Sequence, residues 1–493
     1  MSNKRQAYNP FLPLNVCIPD GEPHVFGDRV YLYGSHDKEG GETFCMLDYE
    51  VWSAPVTDLT DWRCEGITYR AEQDPDYNER PFMYAPDVVR GNDGRYYLYY
   101  CMSGRDGVGG YYGPISVAVC DTPAGKYEYL GYVRYPDGTP MKKYVCFDPG
   151  VINVDGTVYV YYGTRYEFEE DYPDFEHNEQ LIQQEMSMFG KSRDEILGTP
   201  ESVMGPSVVT VGDDMLTITS EPRHIIPYKV NGTDFEGHPF FEAPSMRRVG
   251  DKFYFVYSSR QNHELCYAIS DKPDRDFRFG GTIVSNGDVG YNGRPESERL
   301  NMTGTTHGSI EQINGKWYVF YHRLTHKSDY SRQACAEPIE IAPDGSIAQV
   351  PISSCGLNGG ALRAEGRYPA GIACMITNGD MPHGCNRIFT DRVFPHCAND
   401  ETDRYIGEIT DGTLVGYRWF AFKGGETLTI TLRGKSGSVK VTDGEGSDLG
   451  SGEFSAGDSW QRIAIPLNVA PGDRELRLTF STELCDMLEI EFS

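Results

Sequence analysis

Five short segments each carry one ionisable side chain in an otherwise apolar or proline-bounded context: Asp20 in CIPDGEPHVF, Asp87 in YAPDVV, Asp148 in CFDPGVI, Glu242 in FFEAPSM and His307 in THGSI. A single aspartate before a turn is ordinarily a cap or turn former. Three aspartates, a glutamate and a histidine at a shared offset from a recurring strand carry more, because a shared offset brings them together in space. Clustered carboxylates either hold a metal or set a general acid and a general base across a substrate. Inverting hydrolysis of a glycosidic bond uses the second arrangement: an acid protonates the leaving oxygen and a carboxylate activates water, at a separation of roughly 6.5–9.5 Å. A third carboxylate near the acid raises its pKa by like-charge repulsion and keeps it protonated near neutral pH. Metal-activated water usually rests on several protein ligands, and the lack of a second histidine in this register weighs against metal-driven hydrolysis.

The strand that sets the offset recurs five times, as GDRVYLYGS from Gly27, DGRYYLYYC from Asp93, DGTVYVYYG from Asp155, GDKFYFVYSS from Gly250 and NGKWYVFYHR from Asn314. Each copy is a Gly, Asp-Gly or Asn-Gly turn followed by alternating aromatic and aliphatic residues, the signature of a hairpin. The central tyrosines, Tyr31, Tyr97, Tyr159, Tyr254 and Tyr318, recur about every sixty-odd residues, a period that suits four-stranded propeller blades. The third interval is longer, and EHNEQLIQQEMSMFGKSRDEI, Glu176 to Ile196, reads as a surface helix inserted in the third blade. The expected architecture is all-β: a five-bladed β-propeller over residues 1–350, whose first strands line a channel where the five ionisable groups converge, followed by a second domain over 351–493. The second domain has period-two segments such as ETLTITLRG and ELRLTFS and reads as an antiparallel β-sandwich.

Composition narrows the partners. Lys plus Arg number 45 against 73 Asp plus Glu, a formal charge of −28, which excludes a nucleic-acid or anionic membrane partner that needs a basic face. With 39% hydrophobic and 13% aromatic residues, the chain has ample material for packed cores. The N-terminal residues lack an apolar signal segment and no apolar run is long enough to cross a bilayer, so a cytoplasmic location is expected. The 13 cysteines are scattered without a CxxC pair and read as buried reduced thiols.

The five motifs, with THGSIEQINGKWYVFYHR at the end, make residues from about Asn9 to Ile341 resemble glycoside hydrolase family 43, the five-bladed propeller enzymes that include β-xylosidases, α-L-arabinofuranosidases and arabinanases. The resemblance implies that Asp20 is the general base, Glu242 the general acid and Asp148 the residue that tunes and orients the acid. It implies that Asp87 lies beside the site, either toward substrate or in a structural hydrogen bond to backbone across the funnel, that Arg323 reaches the sugar unless it pairs with a surface carboxylate, and that His307 helps hold a hydrated metal ion, Ca2+, on the propeller axis unless it is a core histidine; no organic cofactor is expected. Phe241 is a candidate sugar platform. YIGEITDGTLVGYRWFAFKG and LCDMLEIEFS resemble carbohydrate-binding module family 6 from about Cys355 to Ser493, with Tyr417 and Trp419 either stacking on sugar or packing in the core. The sequence departs from the family in lacking a second proline after Asp20 and in the helical insertion. The expected function is an inverting exo-glycoside hydrolase releasing β-D-xylose, α-L-arabinofuranose or both from short oligosaccharides, the choice of pentose left open. A non-catalytic carbohydrate-binding propeller and an arabinan-directed hydrolase are the alternatives, and sequence does not separate sugar binding, covering of the funnel or homo-oligomer formation as the role of the sandwich.

Overall fold

The computed structural model describes residues 5–77, 82–102, 113–165, 178–199, 202–228, 230–384, 386–400 and 402–493. Each of the five sequence repeats becomes the second strand of an antiparallel meander. The first sheet runs Glu22–Phe26, Arg29–Tyr33, Tyr49–Pro55, Arg63–Tyr69, and the second Asp87–Arg90, Tyr96–Tyr100, Ser116–Cys120, Glu128–Tyr132. The third is Gly150–Val154, Thr157–Tyr162, Ser207–Val211, Arg223–His224, and the fourth Phe240–Val249, Lys252–Ser259, Glu264–Ser270, Arg278–Ser285. The fifth has three strands, Ser309–Ile313, Lys316–Leu324 and Arg332–Ile339. The first strands of successive sheets touch in cyclic order, and that of the fifth returns to that of the first. Beside the last strand of the fifth sheet runs the N-terminal segment, whose Asn9 and Phe11 amides donate to Ser354 O (2.9 Å) and Ala334 O (3.1 Å).

The turns explain the strand register. Asp155–Gly156 and Asn314–Gly315 both take the left-handed conformation (φ 52° and 92°, 50° and 79°), which a two-residue hairpin turn requires. The residue paired with the central tyrosine is His24 for Tyr31, Ile152 for Tyr159 and Glu311 for Tyr318, four residues beyond Asp20, Asp148 and His307 respectively. In the fourth sheet Tyr254 pairs with Arg247, five beyond Glu242, because a bulge between Glu242 and Ser245 absorbs a residue. In the second sheet Tyr97 pairs with Val89, only two beyond Asp87. Its first two strands join at Arg90 and Tyr96 rather than across a two-residue turn, so Ala85, not Asp87, has the register of Asp20.

The expected insertion is two helices, Glu179–Phe189 and Arg193–Leu197, between the second and third strands of the third sheet; residues 176 and 177 of the expected helix lie outside the described residues. Asn178 caps the first through Leu181 N, and Gly190 ends it in the left-handed conformation (φ 61°). Leu181, Ile182, Phe189 and Ile196 bury against Val145 and Phe147, the approach to Asp148. The insertion therefore braces that approach.

After the fifth sheet, two six-stranded sheets enclose one apolar core that includes Leu428, Ile430, Val439, Leu476, Leu478 and Ile490. Tyr417 is fully buried there and Trp419 packs against it, so core packing accounts for both aromatics. Ion pairs join this unit to the five sheets: Arg418 to Asp288, Lys327 to Glu408 at 2.7 Å, and Arg404 to Glu39 through a fork of 3.0 and 2.7 Å.

Candidate active site

The shared register brings Asp20, Asp148, Glu242 and His307 together at one end of the ring of first strands. His307 Nδ1 lies 3.8 Å from Asp20 Oδ1 and 3.7 Å from Asp148 Oδ2. Asp20 (φ 58°), Asp148 (φ 46°) and Ala243 (φ 67°) all take the left-handed conformation, a strained geometry for residues with a Cβ that persists where surrounding contacts over-determine it. For Asp20 those contacts are visible. Its backbone N–H donates to His322 Nδ1 at 3.2 Å, while His322 Nε2 donates to Thr305 O at 2.9 Å, which fixes the imidazole tautomer. Burial, with the neighbouring Arg332 charge, pushes His322 down to about 3, so it is neutral and accepts that bond.

Arg332 is the cation of the site. Its Nη1 donates to Asp20 Oδ1 at 2.8 Å, its Nε and Nη2 fork onto Asp37 at 2.8 and 3.0 Å, and its plane lies 4.6 Å from the Phe44 ring. Burial alone raises the Asp20 carboxyl, but the Arg332 charge, helped by the polar groups beside it including the Ser35 hydroxyl, outweighs burial and holds it below its ordinary value. Glu242 goes the other way: burial and then the Asp20 charge push it up to about 8, with Arg332 opposing. Asp148 is raised well above the carboxylate range by burial, by Glu242 and by Asp20. The ring thus favours the anion at Asp20 and the protonated acid at Glu242.

Two residues down the same strands lies a second polar layer. Glu22 accepts from Ser245 Oγ (3.0 Å) and Arg247 Nη2 (2.7 Å), and burial followed by the Asp87 charge raises it to about 7. Asp87 belongs here, in the backbone-bonded of its two expected places. Its Oδ1 accepts from Val88 N (2.7 Å) and contacts His24 Nε2 (2.6 Å), and its Oδ2 accepts from Val151 N (2.7 Å), so its carboxylate latches the second sheet to the first and third.

Arg323 is corrected. Strand alternation places His322 on one face of its sheet and Arg323 on the other, where the guanidinium is buried against Cys335 Sγ (3.1 Å) and Ala373 O (3.2 Å) beside the C-terminal unit. Arg332 pairs with Leu324 and so shares the face of His322. Electroneutrality was the signal available in the sequence: a buried aspartate needs a cation, and alternation from His322 excludes Arg323, whereas the face of Arg332 follows only from its pairing with Leu324. Phe241 is half-buried next to Glu242, and its carbonyl accepts from Arg165 N at 2.7 Å. Among the described residues two clusters offer three metal-capable side chains each, Glu22–His24–Asp87 and His238–Glu264–Cys266; His307, the expected ligand, belongs to neither.

A xylosidase/arabinosidase of Thermoclostridium stercorarium is 40% identical over 97% of this chain and 96% of its own length, and residues 8–197 match the profile of Glycosyl hydrolases family 43. The chain belongs to glycosyl hydrolase family 43. This family 43 chain is also 29% identical to xylosidase/arabinosidase 43A of Humicola insolens, over 68% of its length and 96% of the relative's. Among solved structures, the GH43_1 enzyme of Xanthomonas citri complexed with xylose aligns with a TM-score of 0.52 and 27% identity, covering 69% of this family 43 chain and 92% of that one.

Proposed function

We propose that the protein is an inverting, exo-acting glycosidase that releases β-D-xylose, α-L-arabinofuranose or both from short xylo- or arabinoxylo-oligosaccharides, on a five-bladed β-propeller with a C-terminal β-sandwich. The cyclic contact of the five first strands supports the propeller reading. The relatives named xylosidase/arabinosidase, and the Xanthomonas citri enzyme crystallised with xylose, support the substrate class. One observation carries the mechanism: in a single ring, Arg332 holds Asp20 toward its anion while desolvation and the Asp20 charge hold Glu242 protonated up to about 8.

In this reading Glu242 donates its proton to the glycosidic oxygen as the bond to the sugar breaks. Asp20 takes a proton from the water that attacks the anomeric carbon on the opposite face. Asp148, raised by burial, by Glu242 and by Asp20, lies beside the acid and orients it, while the Asp20 charge holds the Glu242 proton on. His322 and Arg332 fix the backbone and the carboxylate of the base. A hard divalent cation such as calcium fits this second layer, because Glu22 Oε1 is buried without a hydrogen-bond partner and one donor atom each of Glu22, His24 and Asp87 lie within 4.8 Å of one another. Glu22 and Asp87 would hold it through carboxylate oxygens, and its charge would favour their ionised forms.

The test is hydrolysis of p-nitrophenyl β-D-xylopyranoside and p-nitrophenyl α-L-arabinofuranoside by wild type and Asp20→Ala, with the anomer of the first-formed product read by NMR. Activity that vanishes in the variant, with inverted product, is expected. Retained configuration, or an Asp20→Ala enzyme as active as wild type, refutes the assignment.

A further inference from the structure

A second chemical cluster lies in the fourth sheet, at the end that carries Glu242. Glu264 and Cys266 are two apart on Glu264–Ser270, so alternation puts both side chains on one face, and Leu265 between them joins a different core cluster. His238 approaches from the segment that leads into Phe240–Val249. Its Nδ1 lies 2.7 Å from Glu264 Oε1 and 4.0 Å from Cys266 Sγ, and the three donor atoms fall within 4.8 Å of one another. Nitrogen, sulfur and oxygen donors so arranged are the set that zinc prefers.

The surroundings hold the donors in place. Ser259 Oγ (2.5 Å) and Thr282 Oγ1 (2.8 Å) orient the Glu264 carboxylate. Tyr257 donates to His238 O at 2.8 Å, and the imidazole stacks on Phe279 with ring centroids 4.8 Å apart and planes at 14°. Such outer partners are what fix ligand orientation in metal sites. Glu264 and Cys266 are buried, whereas the His238 side chain keeps 35% of its surface, so the cluster is reached from solvent on the His238 side. Three protein ligands with one open position describe an exchangeable site rather than a closed structural one.

We infer that His238, Glu264 and Cys266 form a binding site for a thiophilic divalent cation of the zinc class. Binding forms bonds from the metal to Nδ1, to a Glu264 oxygen and to Sγ; the thiol proton and any proton on Nδ1 leave to solvent, and nothing is oxidised or reduced. The bound ion ties the third strand of the sheet to the segment four residues before Glu242. It therefore stiffens the entry to the strand that carries the acid without touching the ring itself.

The full-length protein, freed of metal, is titrated with Zn2+ and with Co2+, whose thiolate complexes absorb through sulfur-to-metal charge transfer. One equivalent of Co2+ is expected to produce that absorption, Zn2+ to displace it, and Zn2+ to raise the Tm. Cys266→Ser should abolish the band, and His238→Gln should weaken binding at least about tenfold, the loss that even outer partners produce. Both variants should keep wild-type turnover in metal-free buffer, which shows that they fold. No thiolate band in wild type, or an equal band in Cys266→Ser, overturns the site. Loss of pentose-releasing activity leaves this readout intact, so the two readings fail separately.

Discussion

Replacing Arg332 by Met removes the full positive charge bonded to Asp20 at 2.8 Å. An opposite charge at contact lowers a carboxylate by about 1–3 units, so its loss should raise the Asp20 pKa by that amount, while burial, already pushing upward, acts unopposed by it. The general base must be unprotonated. The acid limb of kcat/KM, which reports the free enzyme, should therefore move up by about 1–3 pH units. Arg332 also lowers Glu242, so the basic limb should move up too and the whole bell should shift to higher pH. The substitution leaves Asp37 buried with its Cys45 N–H bond but without its cation, a loss of about 3–5 kcal/mol for breaking a buried pair. The Tm is therefore measured alongside, and Arg332→Lys, which keeps the charge but not the fork, serves as the folded control with limbs near those of wild type. Rates on an aryl xyloside from about pH 4 to about pH 9 decide the matter. A uniformly lower plateau with both limbs fixed would refute the electrostatic role and leave Arg332 acting on the sugar alone.

Other outcomes follow from the same geometry. In wild type kcat/KM should fall above about pH 8, where Glu242 loses the proton it must donate, and a basic limb two units lower would remove the acid assignment. Glu242→Gln should lose about 10²–10⁴-fold on xylobiose but far less on aryl glycosides, whose leaving group needs little protonation; equal losses count against the role. Asp87→Asn leaves one of two backbone amides without its acceptor, so stability should drop by about 1–3 kcal/mol in urea unfolding while KM stays unchanged, and a raised KM would return Asp87 to the sugar. Arg404→Met breaks a half-exposed fork to Glu39, two residues from Asp37, at about 1 kcal/mol or less; kcat should fall with KM constant, and a KM effect alone would point to sugar binding by the C-terminal unit.

The repeat was legible because a two-residue turn locks register, so one tyrosine in each copy was enough to find Asp20, Asp148 and His307 at a common height. Glu242 survived a bulge because its extra residue appears as one extra place in the sequence offset. Asp87 misled for the opposite reason. A longer connection, Arg90 to Tyr96, shifts the pairing while leaving the sequence offset nearly unchanged, and loop length trades invisibly against height along a strand. The cation was harder still, since Arg332 opens a strand that carries no repeat, and only its partner across the hairpin tells which face it takes. Asp37 and His322 act through backbone and second-rank bonds that residue type does not announce.

The seam where the N-terminal segment lies against the last strand of the fifth sheet fixes when the protein becomes an enzyme. The Asp20–Arg332 bond spans 312 residues of chain, and Asn9 reaches across 327 to Ala336. Contacts of such sequence separation are the slowest to form, because the loop they close must be ordered first. The individual meanders can gather from local hairpins as the chain emerges, yet Asp20 stays unanchored until the last sheet arrives to clasp the first. Return of activity after dilution from denaturant should lag behind return of strand signal, and a chain halted before Arg332 would hold most of the sheets and none of the chemistry.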